Sequence, residues 1–157
     1  MNRLNIKVKT ALAASLILAS SLQASKPKSC MERASTQGAM NRCALESYRK
    51  ADAELNRVYK RIKALYKDDK LFLEKLKRAQ QTWIKLRDAD LLLKFPHKGQ
   101  PGYYGSDFPM CEAMFKRELT LERIRFLKQW LWGAEEGDLC SGSQKIRPQN
   151  NQPEDMP

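Results

Sequence analysis

The fold is decided by residues 36–66, which read TQGAMNRCALESYRKADAELNRVYKRIKALY. Apolar side chains recur there in alternating steps of four and three, the spacing that places them on one face of an α-helix. No proline interrupts the stretch, and Ser35 or Thr36 can cap its amino terminus. A helix about 46 Å long needs partners along most of its length. The apolar positions are Met40, Ala44, Tyr48, Ala51, Leu55, Val58, Ile62 and Leu65.

Two further segments carry the same helical signature. Residues 69–93 start at an aspartate pair and end before Pro96, which pushes Phe95 out of helical geometry. Their apolar side is formed by Phe72, Leu76, Ala79, Trp83, Leu86 and Leu93, flanked by Leu73 and Leu91. Residues 109–132 end at Gly133, and their stripe is formed by Met114, Leu121, Ile124, Leu127 and Leu131. The pattern predicts an all-α fold, in which two long helices form an antiparallel hairpin and the third packs along it.

The two ends of the chain are predicted to lie outside this three-helix domain, which covers residues 25–133. Residues 1–24 combine a basic start with an apolar run from 11 to 22, which is typical of a secretory signal peptide cut near Ala24. The expected location is periplasmic or secreted, with no transmembrane segment in the mature chain. Residues 134–157 are rich in Pro, Gln and Asn without an apolar period, so a disordered tail is expected.

The four cysteines all follow the predicted cleavage site. Export to an oxidising compartment makes disulfides the expected state of Cys30, Cys43, Cys111 and Cys140. Four cysteines allow three pairings, and their spacing does not choose among them.

The sequence carries none of the common catalytic motifs. Its single histidine, His97, lies in a loop rich in Pro and Gly, and we interpret it as a structural residue. One histidine excludes a site with several histidine ligands and makes a Ser-His-Asp triad improbable. Asp88 and Asp90 lie beside Arg87 and are interpreted as structural. We therefore expect a non-enzymatic protein with no cofactor and no metal.

The net charge of +11 is concentrated in one region. Removing residues 1–24 removes three bases and no acids, which leaves +8. Residues 57–78, the predicted tip of the hairpin, contain nine bases and three acids. An anionic glycan, a lipid or an acidic protein could bind there, or the bases could simply form a solvated helix surface. No specific nucleic-acid partner is expected. The bases are Arg57, Lys60, Arg61, Lys63, Lys67, Lys70, Lys75, Lys77 and Arg78.

Trp83 and Arg87 share a helix face because they are four residues apart. If the chain folds back near residue 67, Trp83 faces Asp52, and Arg87 lies near both Tyr48 and Asp52. A contact of this kind would set the register of the hairpin, and a ligand-binding role is the alternative.

Seven short motifs together resemble the LprI-type lysozyme inhibitor family over about residues 30–131. They are Thr36-Gln37, Met40-Asn41-x-Cys43-Ala44, Ala51-Asp52-x-Glu54-Leu55-Asn56-x-x-Tyr59, Ala79-Gln80-x-x-Trp83-Ile84-x-x-Arg87-Asp88-Ala89, Gly105-Ser106, Pro109-Met110 and Leu119-Thr120-x-x-Arg123-Ile124. The resemblance implies an all-helical envelope domain and inhibition of lysozyme by at least some members of the family. The expected partner is lysozyme or another envelope protein or glycan. The candidate motif cluster is formed by Asp52, Asn56, Tyr59, Gln80, Trp83, Arg87 and Asp88.

The resemblance also implies a disulfide. Cys30 and Cys43 resemble the early pair of the family, which leaves Cys111 to pair with Cys140 if the third helix ends early or bends. Cys43–Cys111 is the alternative, since both lie at the same end of the predicted bundle. Two positions where family members often have cysteine are Leu91 and Phe115 here, at one end of the bundle.

Two functions remain at this point. The resemblance favours a secreted or periplasmic binding protein that inhibits lysozyme-type glycoside hydrolases, although typical lysozymes are also basic and like charges slow their encounter. The alternative is an envelope interaction module that binds an anionic partner through the basic hairpin tip.

Overall fold

A computed structural model describes residues 28–147 of the chain. The predicted signal segment, residues 1–24, lies outside the described residues. The helices are α1 (Cys30–Arg33), α2 (Gln37–Leu65), α3 (Lys70–Lys94) and α4 (Phe108–Trp132). Between residues 28 and 147 there is no β-strand, only an isolated parallel bridge between Ala134 and Ile146. The predicted all-α class is confirmed. None of these helices is long and apolar enough to cross a lipid bilayer.

Side-chain caps explain where the helices begin. The Thr36 hydroxyl accepts a hydrogen bond from the Ala39 amide, and an Asp69 carboxylate oxygen accepts one from the Phe72 amide. The short helix α1 was not predicted. Ser29 and Glu32 cap it reciprocally, and this spacing of serine and glutamate was the signal that would have identified it.

The three long helices run up, down and up. Asn41 bonds Ser106 at one end of α2 and Tyr66 bonds Trp130 at the other, so α2 and α4 are parallel. Their contact is the closest in the bundle, whereas α3 approaches α4 at few positions. Small buried side chains allow this close approach: Ala44 and Ala51 on α2, Ala113 and Thr120 on α4.

The core lies between α2 and α4, toward the end where α2 finishes. Val58, Ile62, Thr120 and Leu127 are its most completely buried side chains. The Thr120 hydroxyl donates to the Lys116 carbonyl at 2.8 Å, which satisfies a polar group in the middle of the bundle. Tyr66 closes the core and replaces Leu65, which the periodicity placed inside and which is exposed.

Helix α3 buries less of its surface than predicted. Leu76 and Leu91 are buried, but Ala79, Leu86 and Leu93 are exposed, so the prediction that they face the core is wrong. The physical reason is that α3 carries two apolar stripes, roughly 100° apart around its axis, and only one can face the bundle.

The stretch after α4 is not disordered up to residue 147, which corrects the prediction for residues 134–147. The Ala134 amide donates to the Lys145 carbonyl at 2.9 Å, and the Arg147 amide donates to the Ala134 carbonyl at 2.8 Å. The Trp130 indole donates to the Ser143 hydroxyl at 3.0 Å. Hydrogen bonds to the end of α4 hold this segment in place. Because such bonds do not require a periodic pattern of apolar residues, the sequence carries no sign of this order. Residues 148–157 lie outside the described residues.

Gly133 allows that segment to turn back. Its φ is +73°, and a β-carbon there would lie 2.5 Å from the Lys145 carbonyl oxygen. Gly133→Ala is therefore expected to lower the free energy of unfolding by about 2 kcal/mol and to speed proteolysis of residues 134–147. Gly137→Ala is the control, because Gly137 has φ +88° but open space around it. Equal effects of the two substitutions would contradict a steric role for Gly133.

Of the two predicted disulfides, Cys30–Cys43 is confirmed and Cys111–Cys140 is wrong. Cys30 and Cys43 form a disulfide with their Cα atoms 5.6 Å apart, whereas Cys111 and Cys140 are unpaired. Helix α4 continues without a break to Trp132, so it carries Cys140 to the end of the bundle opposite Cys111. The alternative Cys43–Cys111 pair is excluded because Cys43 is bonded to Cys30.

Candidate functional site

Two guanidinium groups lie over the ring of Trp83 on α3. Arg87 of α3 lies 5.4 Å from the indole centroid, and Arg123 of α4 lies 5.8 Å from it. Arg123 Nε donates to Gln80 Oε1 at 3.0 Å, and Arg87 Nη1 donates to the Tyr48 hydroxyl at 3.4 Å. Cation–π contacts and hydrogen bonds thus connect all three long helices through this cluster.

Burial sets the electrostatics of the cluster. Desolvation lowers the pKa of Arg123, and its Nη2 is buried without a hydrogen-bond partner among residues 28–147. Arg87 donates from Nε and Nη2 to Asp88 Oδ1, at 2.9 and 2.8 Å. The Trp83 indole and the Asp88 carboxylate compensate the positive charge of Arg87. We therefore interpret Arg87 as a residue that holds α3 against α2.

Three other residues of the candidate motif cluster, Asp52, Asn56 and Tyr59, lie on α2. Asn56 Nδ2 donates to the Asp52 carbonyl at 2.9 Å and to Asp52 Oδ2 at 3.2 Å, one turn along α2. Tyr59 packs against the core. Arg87 reaches Tyr48, as the fold-back predicted, whereas Asp52 is engaged by Asn56.

A second group of motif residues meets at the amino-terminal ends of α2 and α4. Gln37 Nε2 donates to Asn41 Oδ1, and Asn41 Nδ2 donates to the Ser106 carbonyl, both at 2.9 Å. Beside them lies a cleft of about 290 Å³, which we call the α2–α4 cleft. It is lined by Asn41, Arg42, Leu45, Tyr48, Pro109, Glu112, Ala113 and Lys116. Sequence reasoning missed this cleft. The signal was that the motifs holding Gln37, Asn41, Ser106 and Pro109 all lie at helix starts.

Glu112 is the acidic group of the α2–α4 cleft. Burial raises the pKa of its carboxyl, but hydrogen bonds from Lys116 at 2.8 Å and Lys98 at 2.6 Å outweigh burial, so the pKa lies below its ordinary value. The cleft therefore offers an apolar floor whose one carboxylate is already neutralised by two lysines.

The Glu112 ion pairs predict a pH dependence of stability. Because the folded-state pKa is lowered, the stabilisation is present above the unfolded pKa and is lost as pH falls through the folded value. Glu112→Gln is expected to remove about 1 kcal/mol at neutral pH and to flatten the acid limb below about pH 4.5. Urea denaturation at several pH values measures both effects. Glu118→Gln, on an exposed residue of the same helix, is the control. A parallel loss of stability in both variants at every pH would contradict this role of Glu112.

The basic tip, which we define as the nine bases of residues 57–78, lies on the surface of the protein. Every one of these side chains belongs to an exposed residue. Within residues 28–147, Arg57 pairs with Glu54 and Lys75 pairs with Glu74. The returning segment adds Lys145, which donates from Nζ to the Leu65 carbonyl at 2.8 Å. The exposed acids Glu135, Glu136 and Asp138 lie in the turns that follow α4 at this same end.

His97 packs within an aromatic loop. Its ring lies 4.1 Å from the Tyr103 ring, and its backbone amide donates to the Tyr104 hydroxyl at 3.1 Å. Phe95 makes edge-to-face contacts with Tyr104 and Phe108, which fold the loop onto the start of α4. Among residues 28–147, no group of three His, Cys, Asp or Glu side chains could hold a metal ion.

Comparisons with known proteins bear on this geometry. A family model described as "Lysozyme inhibitor LprI" matches residues 30–127, from the start of α1 into the last turns of α4. An uncharacterized protein of Rhizobium meliloti (strain 1021) is 34% identical over 137 residues, which cover 80% of this chain and 95% of that relative. No solved structure matches the chain.

Proposed function

Because this chain belongs to the LprI family of lysozyme inhibitors, we propose that it binds and inhibits lysozyme-type glycoside hydrolases. The observation that carries the proposal is the match over residues 30–127, which covers all of α2 and α4 as far as Leu127. The protein acts by binding and not by catalysis. It is exported, residues 1–24 serving as a signal peptide cut near Ala24, and works in the periplasm or outside the cell.

We place the lysozyme contact at the α2–α4 cleft. Two of the family motifs line it through Asn41 and Pro109, and the exposed Leu45 and the ring of Tyr48 offer apolar surface beside Arg42 and Lys116. Apolar area with a few polar groups at its edge is the usual composition of a small recognition site.

The position of the cleft also reduces the contribution of the basic tip to the charge objection. The basic tip lies toward the other end of α2: from Leu45 to Lys63 the helix rises about 27 Å. At physiological salt the Debye length is about 8 Å, so the tip is largely screened from a partner bound at the cleft.

The test is an inhibition assay with protein purified after export, at low and at moderate salt. Inhibition is expected at tens of micromolar or below in both conditions. Leu45→Glu is expected to weaken inhibition by about tenfold or more, because it introduces a charge into the apolar contact. Leu65→Glu is the matched control, since Leu45 and Leu65 are 39% and 41% exposed and lie at opposite ends of α2.

Two results would count against the proposal. Absence of inhibition at tens of micromolar protein, at both salt concentrations, would rule out lysozyme inhibition as the function. Equal losses of inhibition in Leu45→Glu and Leu65→Glu would be consistent with lysozyme inhibition but would show that the contact does not lie at the cleft.

The exposure of all nine bases at the tip favours a second candidate function, which is binding of an anionic glycan, lipid or acidic protein in the envelope. Reversing Lys60, Arg61, Lys63 and Lys67 to Glu is expected to abolish such binding, which added salt would also weaken steeply. Unchanged binding by that variant would exclude the basic tip as the binding surface.

A further inference from the structure

A side of α3 that lies roughly 100° around the helix axis from its buried stripe carries a row of exposed leucines. Leu71, Leu86 and Leu93 are 64%, 56% and 81% exposed. The exposed residues Ala79, Thr82 and Ala89 fill the spacing between them, in steps of three and four that keep one side of the helix. We call this surface the outer face of α3. It is about 33 Å long from Leu71 to Leu93.

Basic side chains are interleaved with these leucines. Lys75 lies within the row, and Arg78 and Lys85 lie along one edge of it, all on exposed residues. Within residues 28–147, the nearby Glu74 is paired with Lys75, and Asp88 is paired with Arg87. The outer face of α3 is therefore apolar along its centre and positive along its edge.

We propose that the outer face of α3 docks onto an anionic phospholipid bilayer. A helix that lies in a membrane surface buries its leucines among the acyl chains, while lysine and arginine extend from its edge to the headgroups. Each basic side chain near an anionic surface adds to the attraction. The proposal does not rest on lysozyme inhibition, because the α2–α4 cleft is formed by the other two helices.

Charge argues for a bilayer and against a second copy of this chain. Two copies pressed together through the outer face of α3 would bring Lys75, Arg78 and Lys85 against the same bases of their partner. Like charges placed opposite one another disfavour such a pair. An anionic lipid surface attracts Arg78 and Lys85 and accepts a convex helix without a complementary groove.

The experiment measures binding of the protein, purified after export, to vesicles of phosphatidylglycerol mixed with phosphatidylcholine. Binding is expected to these vesicles and to be much weaker with phosphatidylcholine alone. Leu86→Ser combined with Leu93→Ser is expected to reduce partitioning by about tenfold or more, while the thermal unfolding midpoint falls by about 4 °C or less. The matched control combines Met114→Ser with Leu139→Ser, which removes two exposed apolar side chains elsewhere and is expected to bind like the unmodified protein.

Each other outcome overturns the proposal. No binding to phosphatidylglycerol vesicles removes lipid as the partner. Equal binding by the serine variant and the unmodified protein assigns the attraction to charge alone. A dimer in sedimentation equilibrium that the Leu86→Ser, Leu93→Ser variant dissociates would assign the face to a second copy. Lysozyme inhibition measured on the same variants separates this proposal from the previous one, because the serine substitutions on α3 are expected to leave inhibition unchanged.

Discussion

Replacing Leu127 with alanine is expected to lower the free energy of unfolding by about 3 kcal/mol. Leu127 is 1% exposed on α4 and belongs to the core cluster formed with α2, so the substitution removes apolar burial and leaves a cavity. Because the α2–α4 contact is the closest in the bundle, little relaxation can fill that cavity. Urea denaturation followed by far-ultraviolet circular dichroism measures the loss.

Leu86→Ala is the matched control for Leu127→Ala. It removes the same atoms from α3, but Leu86 is exposed, so a loss of about 0.5 kcal/mol or less is expected. Similar losses in the two variants would contradict the arrangement described here, since they would mean that the outer face of α3 is buried in solution.

Breaking the Cys30–Cys43 disulfide is expected to have the second large effect. The bond closes a loop with a sequence separation of 13 and attaches α1 to α2. Closing a loop of that size lowers the entropy of the unfolded chain and is expected to stabilise the folded protein by about 3 kcal/mol. Cys30→Ser is a clean substitution because Cys30 is exposed, so little packing is lost with the bond.

Cys111 supplies the control for this experiment. Cys111→Ser is expected to change stability little, because Cys111 is unpaired. Combining it with Cys30→Ser prevents the freed Cys43 from pairing with Cys111. Peptide mapping without reductant is expected to recover one linked peptide that contains Cys30 and Cys43, with Cys111 and Cys140 as thiols. A Cys111–Cys140 peptide would require α4 to end before Trp132.

The boundaries of the three long helices could be predicted from the sequence to within one residue. The periodicity and caps predicted 36–66, 69–93 and 109–132, and the helices are Gln37–Leu65, Lys70–Lys94 and Phe108–Trp132. These boundaries depend on local signals: a capping side chain, a proline and a glycine with positive φ. The Arg87–Tyr48 contact was also predictable, because an antiparallel hairpin fixes which residues of its two helices lie level.

The candidate site was harder to predict from the sequence. Leu45 and Glu112 lie on different helices and share no motif, so nothing in the linear sequence placed them in one cleft. The Arg123 contacts with Gln80 and Trp83 likewise depend on the rotation of α4 about its axis. The ordered return of residues 134–147 depends on backbone hydrogen bonds, and hydropathy does not detect those.

The sequence by itself determined the helical class, the helix ends and, through its motifs, the family and the Cys30–Cys43 pair. Only the tertiary structure decided which stripe of α3 is buried, where Cys140 lies and which motif residues line a cleft. The physical reason is that helical periodicity is a property of a single segment, whereas burial depends on which neighbour approaches it. Here Ala44, Ala51, Ala113 and Thr120 let α2 and α4 come together closely, and α3 is left with one apolar stripe in the core and a second, roughly 100° around its axis, exposed.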